Sequence, residues 1–198
     1  AFSPDDESYV LNYGGRVLRG RLDSTITPIE LARIPNPKNA VGGFDMFPAK
    51  HGVIWFDANT IIIEAANDEN KTQLVLLDAK TGDVQKTLPL KLDSNELRLD
   101  GLIGRLDSDH ILMYVSLYNE EGFSINIASV SLSTGELNVL VERAGNAQVV
   151  DEHIFFSRDD SLYMASYDPE THKLLDAGQP VMEGLYTAYG AHSNFVIT

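Results

Sequence analysis

Five histidines, His51, His110, His153, His172 and His192, are the residues of this chain best suited to metal or acid–base chemistry. They lie far apart in sequence and mostly beside turn residues, so the plain expectation is solvated turn histidines. Histidines carried by separate structural repeats can also converge in space, and convergence would make a metal site. Two acidic turns, Asp107-Ser108-Asp109 and Asn67-Asp68-Glu69-Asn70, each crowd several oxygens together, as Ca²⁺ would accept. Neither has the full Asp-x-Asp-x-Asp-Gly spacing of a dedicated loop, and hairpin turns use these residue types for backbone reasons. Asp159-Asp160 reads the same way, as a two-residue turn. No Gly-x-Ser-x-Gly, His-Glu-x-x-His, P-loop or Gly-x-Gly-x-x-Gly segment occurs. With no cysteine, disulfides, thiolate chemistry and Cys-based zinc sites are excluded. No catalytic, cofactor-binding or metal residue is assigned on this basis, and no cofactor is expected.

The formal net charge of −14 argues against a nucleic-acid partner, because a polyanion needs Lys and Arg to displace its counterions. The 15 basic residues are scattered rather than gathered in a stripe. An acidic surface is ordinarily a solvated one, with a cationic ligand as the sharper alternative. No apolar run approaches the roughly 20 residues of a membrane-spanning helix. The absence of cysteine fits a periplasmic or extracytoplasmic location slightly better than a cytoplasmic one. The opening Ala1-Phe2-Ser3-Pro4-Asp5-Asp6 lacks the character of a secretory leader and reads like the middle of a domain, so the expectation is a piece of something longer.

The elements that must carry these residues are short β-type runs divided by turn clusters, with almost nothing at helical period. Thr27, Pro28 and Glu30 have the spacing of a helix start, but Pro35 would stop such a helix within two turns, and Ile29–Ile34 is read as a strand. One turn recurs. Leu77-Asp78-Ala79-Lys80-Thr81-Gly82-Asp83-Val84 has counterparts in Val130-Ser131-Leu132-Ser133-Thr134-Gly135-Glu136-Leu137 and Tyr167-Asp168-Pro169-Glu170-Thr171-His172-Lys173-Leu174. A hairpin precedes each copy, turning at Asp57-Ala58-Asn59, at Asp107-Ser108-Asp109 and at Asp151-Glu152. Two strands, a hairpin turn and two further strands make one propeller blade, and the copies recur at about the 40–50 residues a blade needs.

The reading is therefore all-β: a β-propeller of about four blades, each of four antiparallel strands, forming a single partial domain over residues 1–198. The blades fall near 2–35, 52–90, 101–143 and 147–184, with 187–198 starting or closing another. An isolated blade cannot cover both faces, so the expected parent is a six- to eight-bladed propeller, with closure into a small four-bladed ring as the alternative. Open blade edges would favour self-association. Trp55, Tyr114, Tyr163 and Tyr167 are expected to fill space between blades, with an aromatic ligand platform as the sharper reading. The Pro35–Gly43 stretch is a long inter-blade loop and the first place to look for a binding surface.

Phe2-Ser3-Pro4-Asp5-Asp6-Glu7 resembles the Phe-Ser-Pro-Asp-Gly turn of TolB-type, WD-like bacterial propeller repeats, with Asp6 where that family prefers Gly. The order running from Leu132-Ser133-Thr134-Gly135-Glu136 through Ile154–Ala165, Tyr167-Asp168, Pro180-Val181 and Glu183-Gly184 is similar to the family's C-terminal blades. The resemblance is clearest over 127–198. It implies a non-catalytic module that binds a protein or small-molecule ligand, as a sensory or scaffold domain. The alternative is a propeller enzyme, or the non-catalytic propeller half of a prolyl-oligopeptidase-like peptidase.

Overall fold

Adjacent aliphatic residues, rather than strict alternation, mark the middle strands, because each of those strands is covered on both faces. Ile61, Ile62 and Ile63 are all fully buried, as are Ile111, Leu112 and Met113. The computed structural model describes residues 1–13, 15–34, 52–67, 69, 71–91, 97–119, 122–185, 187–188 and 192–193. Among them there is no helix, and every strand pair is antiparallel.

Two compact units divide the chain, residues 1–91 and 92–198. In the first unit, β1 (Ser8–Tyr13), β2 (Arg16–Arg21) and β3 (Ile29–Arg33) form one meander. A second meander comprises β4 (Val53–Trp55), β5 (Thr60–Ala66), β6 (Thr72–Asp78) and β7 (Val84–Pro89). In the second unit, β8 (Leu97–Arg105), β9 (His110–Asn119), β10 (Gly122–Ser131) and β11 (Leu137–Val141) form the third sheet. The fourth runs β12 (Gly145–Val150), β13 (His153–Arg158) and β14 (Ser161–Asp168). The outer side of β14 is shared by β15 (Lys173–Leu174) and β16 (Gln179–Glu183). Short β17 (Thr187–Ala188) and β18 (His192–Ser193) pair with each other. The chain is all-β and of propeller type: consecutive meanders of the blade kind, with strand order following chain order inside each sheet.

The recurring turn is one structure built three times. Gly82, Gly135 and His172 each donate a backbone N–H to the carbonyl four residues earlier, on Asp78, Ser131 and Asp168, at 2.9 Å in every copy. Each sits in the left-handed region, with φ of 78°, 74° and 55°. The preceding side chain caps the turn: Asp78 Oδ1 accepts from the N–H groups of Lys80 and Thr81, and Asp168 Oδ1 from that of Glu170. Asp159 and Asp160, both at positive φ, form the expected tight turn between β13 and β14.

The first unit's core joins Val10 and Val17 of the first sheet to Ile61, Ile63, Ala65, Val75 and Leu77 of the second, with Leu31 and Trp55 packed against them. Arg19 spans the two sheets, donating to the Ala79 carbonyl at 3.0 Å and lying over the Trp55 ring. Gly82 is required twice over: its φ suits glycine, and a Cβ there would stand 2.1 Å from the Leu31 carbonyl oxygen. Gly82→Ala should therefore lower stability by about 2 kcal/mol or more, part αL strain and part backbone collision. Gly122→Ala, in the second unit and followed by circular dichroism, serves as the comparison, since its φ is also positive but nothing lies within 4 Å, and it should show the strain alone. Trp55 is the single tryptophan, so urea unfolding followed by its fluorescence reports on the unit that contains Gly82.

In the second unit the Tyr114 hydroxyl accepts the Ala147 N–H at 3.0 Å, tying β9 to β12. Burial pushes the Tyr114 phenol above its ordinary 10.0, only partly offset by the Ala147 bond. A folded-state pKa above the unfolded one means that its contribution is complete below pH 10 and is lost as pH rises through the folded value. Wild type should thus lose more stability between neutral pH and about pH 11 than Tyr114→Phe does, as read from urea midpoints at the two pH values.

Candidate functional site

Asp107 opens the β8–β9 hairpin, and its carboxylate is claimed first by the backbone. Oδ1 accepts the N–H groups of Asp109 and His110, both at 2.8 Å. The sister turn of the second sheet repeats the pattern in Asp57, which accepts the Asn59 N–H at 2.8 Å. Local sequence thus fixes where the Asp107 carboxylate points. The next residue to form strand, His110, sits where the sister turn has Thr60, and its ring turns back so that Nδ1 lies 3.0 Å from Asp107 Oδ1.

The other oxygen of Asp107 faces the fourth sheet. Tyr167, at the end of β14, donates its hydroxyl to Asp107 Oδ2 at 3.0 Å. His172, in the following turn, places Nδ1 3.4 Å from the same oxygen and 3.3 Å from the Tyr167 hydroxyl. The two imidazoles meet with centroids 3.9 Å apart and planes 33° out of parallel. Asp107 and His110 side chains are 14% and 10% exposed, and that of His172 is 44% exposed, so the cluster is closed below and open on one side.

Burial alone would raise the Asp107 carboxyl, but the N–H groups of Asp109 and His110 and the His110 ring outweigh it and hold the group below the ordinary carboxylate value. The Tyr167 phenol moves the opposite way, pushed well up by burial and then by its bond to Asp107, so it remains a neutral donor. Beside the cluster, Asp109 Oδ2 accepts the hydroxyls of Ser131 and Ser133 at 2.8 and 2.9 Å. Both acidic residues of the 107–109 turn thus serve its framework, as hairpin chemistry leads one to expect.

Sequence reasoning placed the histidines at separate turns, and the structure brings two of them together. His153 lies on β13 and is not one of the gathered ligands, and His51 falls outside the described residues, as do the 35–43 loop and Asp68 and Asn70 of the other acidic turn. Of the aromatics expected between blades, Tyr163 stacks on Phe156 at 5.6 Å and Tyr114 is buried. Tyr167 is buried too, but its hydroxyl end belongs to the polar cluster. The signal that could have marked the cluster is departure from the repeat. Tyr167 replaces the buried Leu77 and Val130, and His172 stands where its sister turns have Gly82 and Gly135.

No family model matches the sequence, and no curated protein matches it. Among solved structures, BamB from Moraxella catarrhalis aligns at 13% identity and a TM-score of 0.42 over 88% of this chain and 60% of its own. A functionally unknown protein from Desulfotomaculum acetoxidans aligns at 9% identity and a TM-score of 0.49, covering 96% of this chain and 71% of the other. A 6-phosphogluconolactonase-like protein from Bacteroides uniformis aligns at 13% and 0.44, over 92% and 54%. The chain thus spans about 60% of the length of BamB. The assignment of fold rests on the chain's own strand order.

A second concavity, a groove of about 280 Å³, runs between Ile103–Arg105 of β8 and Ala147–Val150 of β12. It holds none of the four cluster residues. Among the described residues, Asp107, His110 and His172 are the one group of three potential ligands gathered within 4.8 Å of one another.

Proposed function

We propose that the chain is a non-catalytic propeller-type binding module, part of one propeller domain, that holds its ligand at the cluster of Asp107, His110, Tyr167 and His172. One observation carries the reading: two neighbouring sheets each contribute side chains that break the repeat, and these meet at a half-open polar site. A purely structural repeat has no need of such departures, since Thr60, Leu77 and Gly82 serve the same backbone positions in the second sheet. His172 in particular accepts a left-handed backbone that costs an L-residue about 1 kcal/mol more than glycine.

An enzymatic reading draws on the same side chains. His110 beside Asp107 has the form of a general base held by a carboxylate. A nucleophile within reach of that imidazole would support it, but the Ser131 and Ser133 hydroxyls turn to Asp109 instead. The binding reading is the better supported. A thermal-shift screen of wild type against His172→Gly tests it across metal ions, small organic cations and anions, and peptides. At least one ligand should raise the wild-type midpoint and leave the variant's unmoved. A screen in which every ligand acts equally on both proteins would count against a site at this position.

A further inference from the structure

We propose that Asp107, His110 and His172 form a three-ligand site for a divalent transition-metal ion of the Zn²⁺ class, with Tyr167 positioning the carboxylate. This rests on the reading of the cluster as the binding site and names the ligand's chemistry.

The donor set selects the metal. Two imidazole nitrogens and one carboxylate oxygen suit Zn²⁺, Ni²⁺, Co²⁺ or Cu²⁺, whereas Ca²⁺ and Mg²⁺ prefer all-oxygen sites. The spacing is close to what is needed. A tetrahedral ion at roughly 2.0–2.1 Å from each ligand sets its donors roughly 3.3 Å apart. His110 Nδ1 stands 3.0 Å and His172 Nδ1 3.4 Å from the two oxygens of Asp107, and all three donors lie within 4.8 Å of one another. The two imidazoles approach different oxygens of Asp107, so taking up an ion requires their side chains to turn onto one shared position.

Proton placement allows it as well. Each imidazole must present Nδ1 without its proton, as the tautomer that carries the proton on Nε2 does. Asp107 supplies one negative charge and keeps its orientation through the Asp109 and His110 N–H groups, which bind it independently of any ion. The neutral Tyr167 hydroxyl continues to donate to Oδ2 and steers the carboxylate, the part a second layer of hydrogen bonds plays at metal centres. Three protein ligands leave a fourth position for water or a ligand group, on the side where His172 is exposed. The chain's net charge of −14 favours the arrival of a cation.

The site also explains His172 itself. Its sister turns close with glycine at the same hydrogen bond, so backbone geometry never asked for an imidazole there. Its side chain reaches a carboxylate that already holds a second imidazole.

The test uses the full chain stripped with a chelator and titrated with Zn²⁺ against a competing chromogenic chelator. Co²⁺ serves as the spectroscopic probe, and Ca²⁺ and Mg²⁺ as controls. Wild type should take up one Zn²⁺ per chain, give the visible absorption of low-coordinate Co²⁺, and ignore Ca²⁺ and Mg²⁺. His172→Gly and His110→Thr install the residues that the sister blade already uses, so both variants should fold. Each should weaken Zn²⁺ binding at least tenfold and abolish the Co²⁺ spectrum. Tyr167→Phe should weaken it about tenfold. His153→Gln, outside the cluster, should change nothing. The assignment is overturned if wild type binds no Zn²⁺, or if His172→Gly and His110→Thr bind it as tightly as wild type, which would mark an adventitious site elsewhere. Should the metal fail while another ligand's thermal shift is still lost in His172→Gly, only the metal assignment falls. If nothing binds at the cluster, the binding reading falls with it.

Discussion

Phe156→Ala should destabilise the second unit by about 3–5 kcal/mol, the usual cost of removing a large, fully buried ring. Phe156 has no exposed surface. Its ring stacks on Tyr163 with planes 9° apart, and the Arg158 guanidinium lies over it at 5.2 Å. Across the sheet, Gly178 yields room for it: a Cβ there would come within 2.9 Å of the Phe156 ring. Tyr163 and Arg158 lie against the ring and Gly178 faces it with no side chain to move into the space. Trp55 lies in the other unit, so the unfolding is followed by circular dichroism or by amide exchange on β13 and β14. The midpoint should fall with an unchanged denaturant slope. Phe123, half exposed, is the comparison, and its replacement by alanine should cost less than about 1 kcal/mol. A loss at Phe156 no larger than that at Phe123 would show that the fourth sheet is not packed around this ring.

Asp107→Ala is the second large effect, at about 3 kcal/mol. The carboxylate accepts two backbone N–H groups and the Tyr167 hydroxyl, and each buried donor left without an acceptor costs about 1–3 kcal/mol before water compensates. Asp57→Ala removes the same turn cap in the second sheet, where one N–H is lost at the exposed surface, and should cost about 1 kcal/mol. The difference between the two variants combines the second N–H bond and the His110 contact within the hairpin with the inter-sheet bond from Tyr167, and Tyr167→Phe separates the inter-sheet share. Equal losses would mean that Tyr167 and His172 contribute nothing through Asp107. The same Asp107→Ala protein should also fail to bind Zn²⁺, whereas Asp57→Ala should bind it like wild type.

Much of the architecture is written locally. Asp159-Asp160 and the Thr-Gly turns specify their backbones because few residues tolerate positive φ, and those positions adopt it. Runs such as Ile61–Ile63 specify strands covered on both faces, because three adjacent apolar residues cannot all be buried in a one-sided sheet. From such segments the all-β class, the strands and the hairpins could be read, and the structure repeats them. The backbone caps of the acidic 107–109 turn follow the same local rule, because Asp107 Oδ1 accepts from its own turn's N–H groups.

The meeting of Asp107 with Tyr167 could not be read that way, since the two are 60 residues apart and belong to different sheets. No turn rule links them. Their approach is decided by how the third and fourth sheets pack, a sum over many buried side chains none of which carries the chemistry. The sequence by itself settled which backbones form and which residues sit at blade ends. Tertiary packing alone decided which of those ends share a carboxylate, because burial patterns encode the facing of each strand but not the register of one sheet against the next. The trace left in the sequence was a histidine at a glycine's position, and its meaning appeared only once the facing sheet was in place.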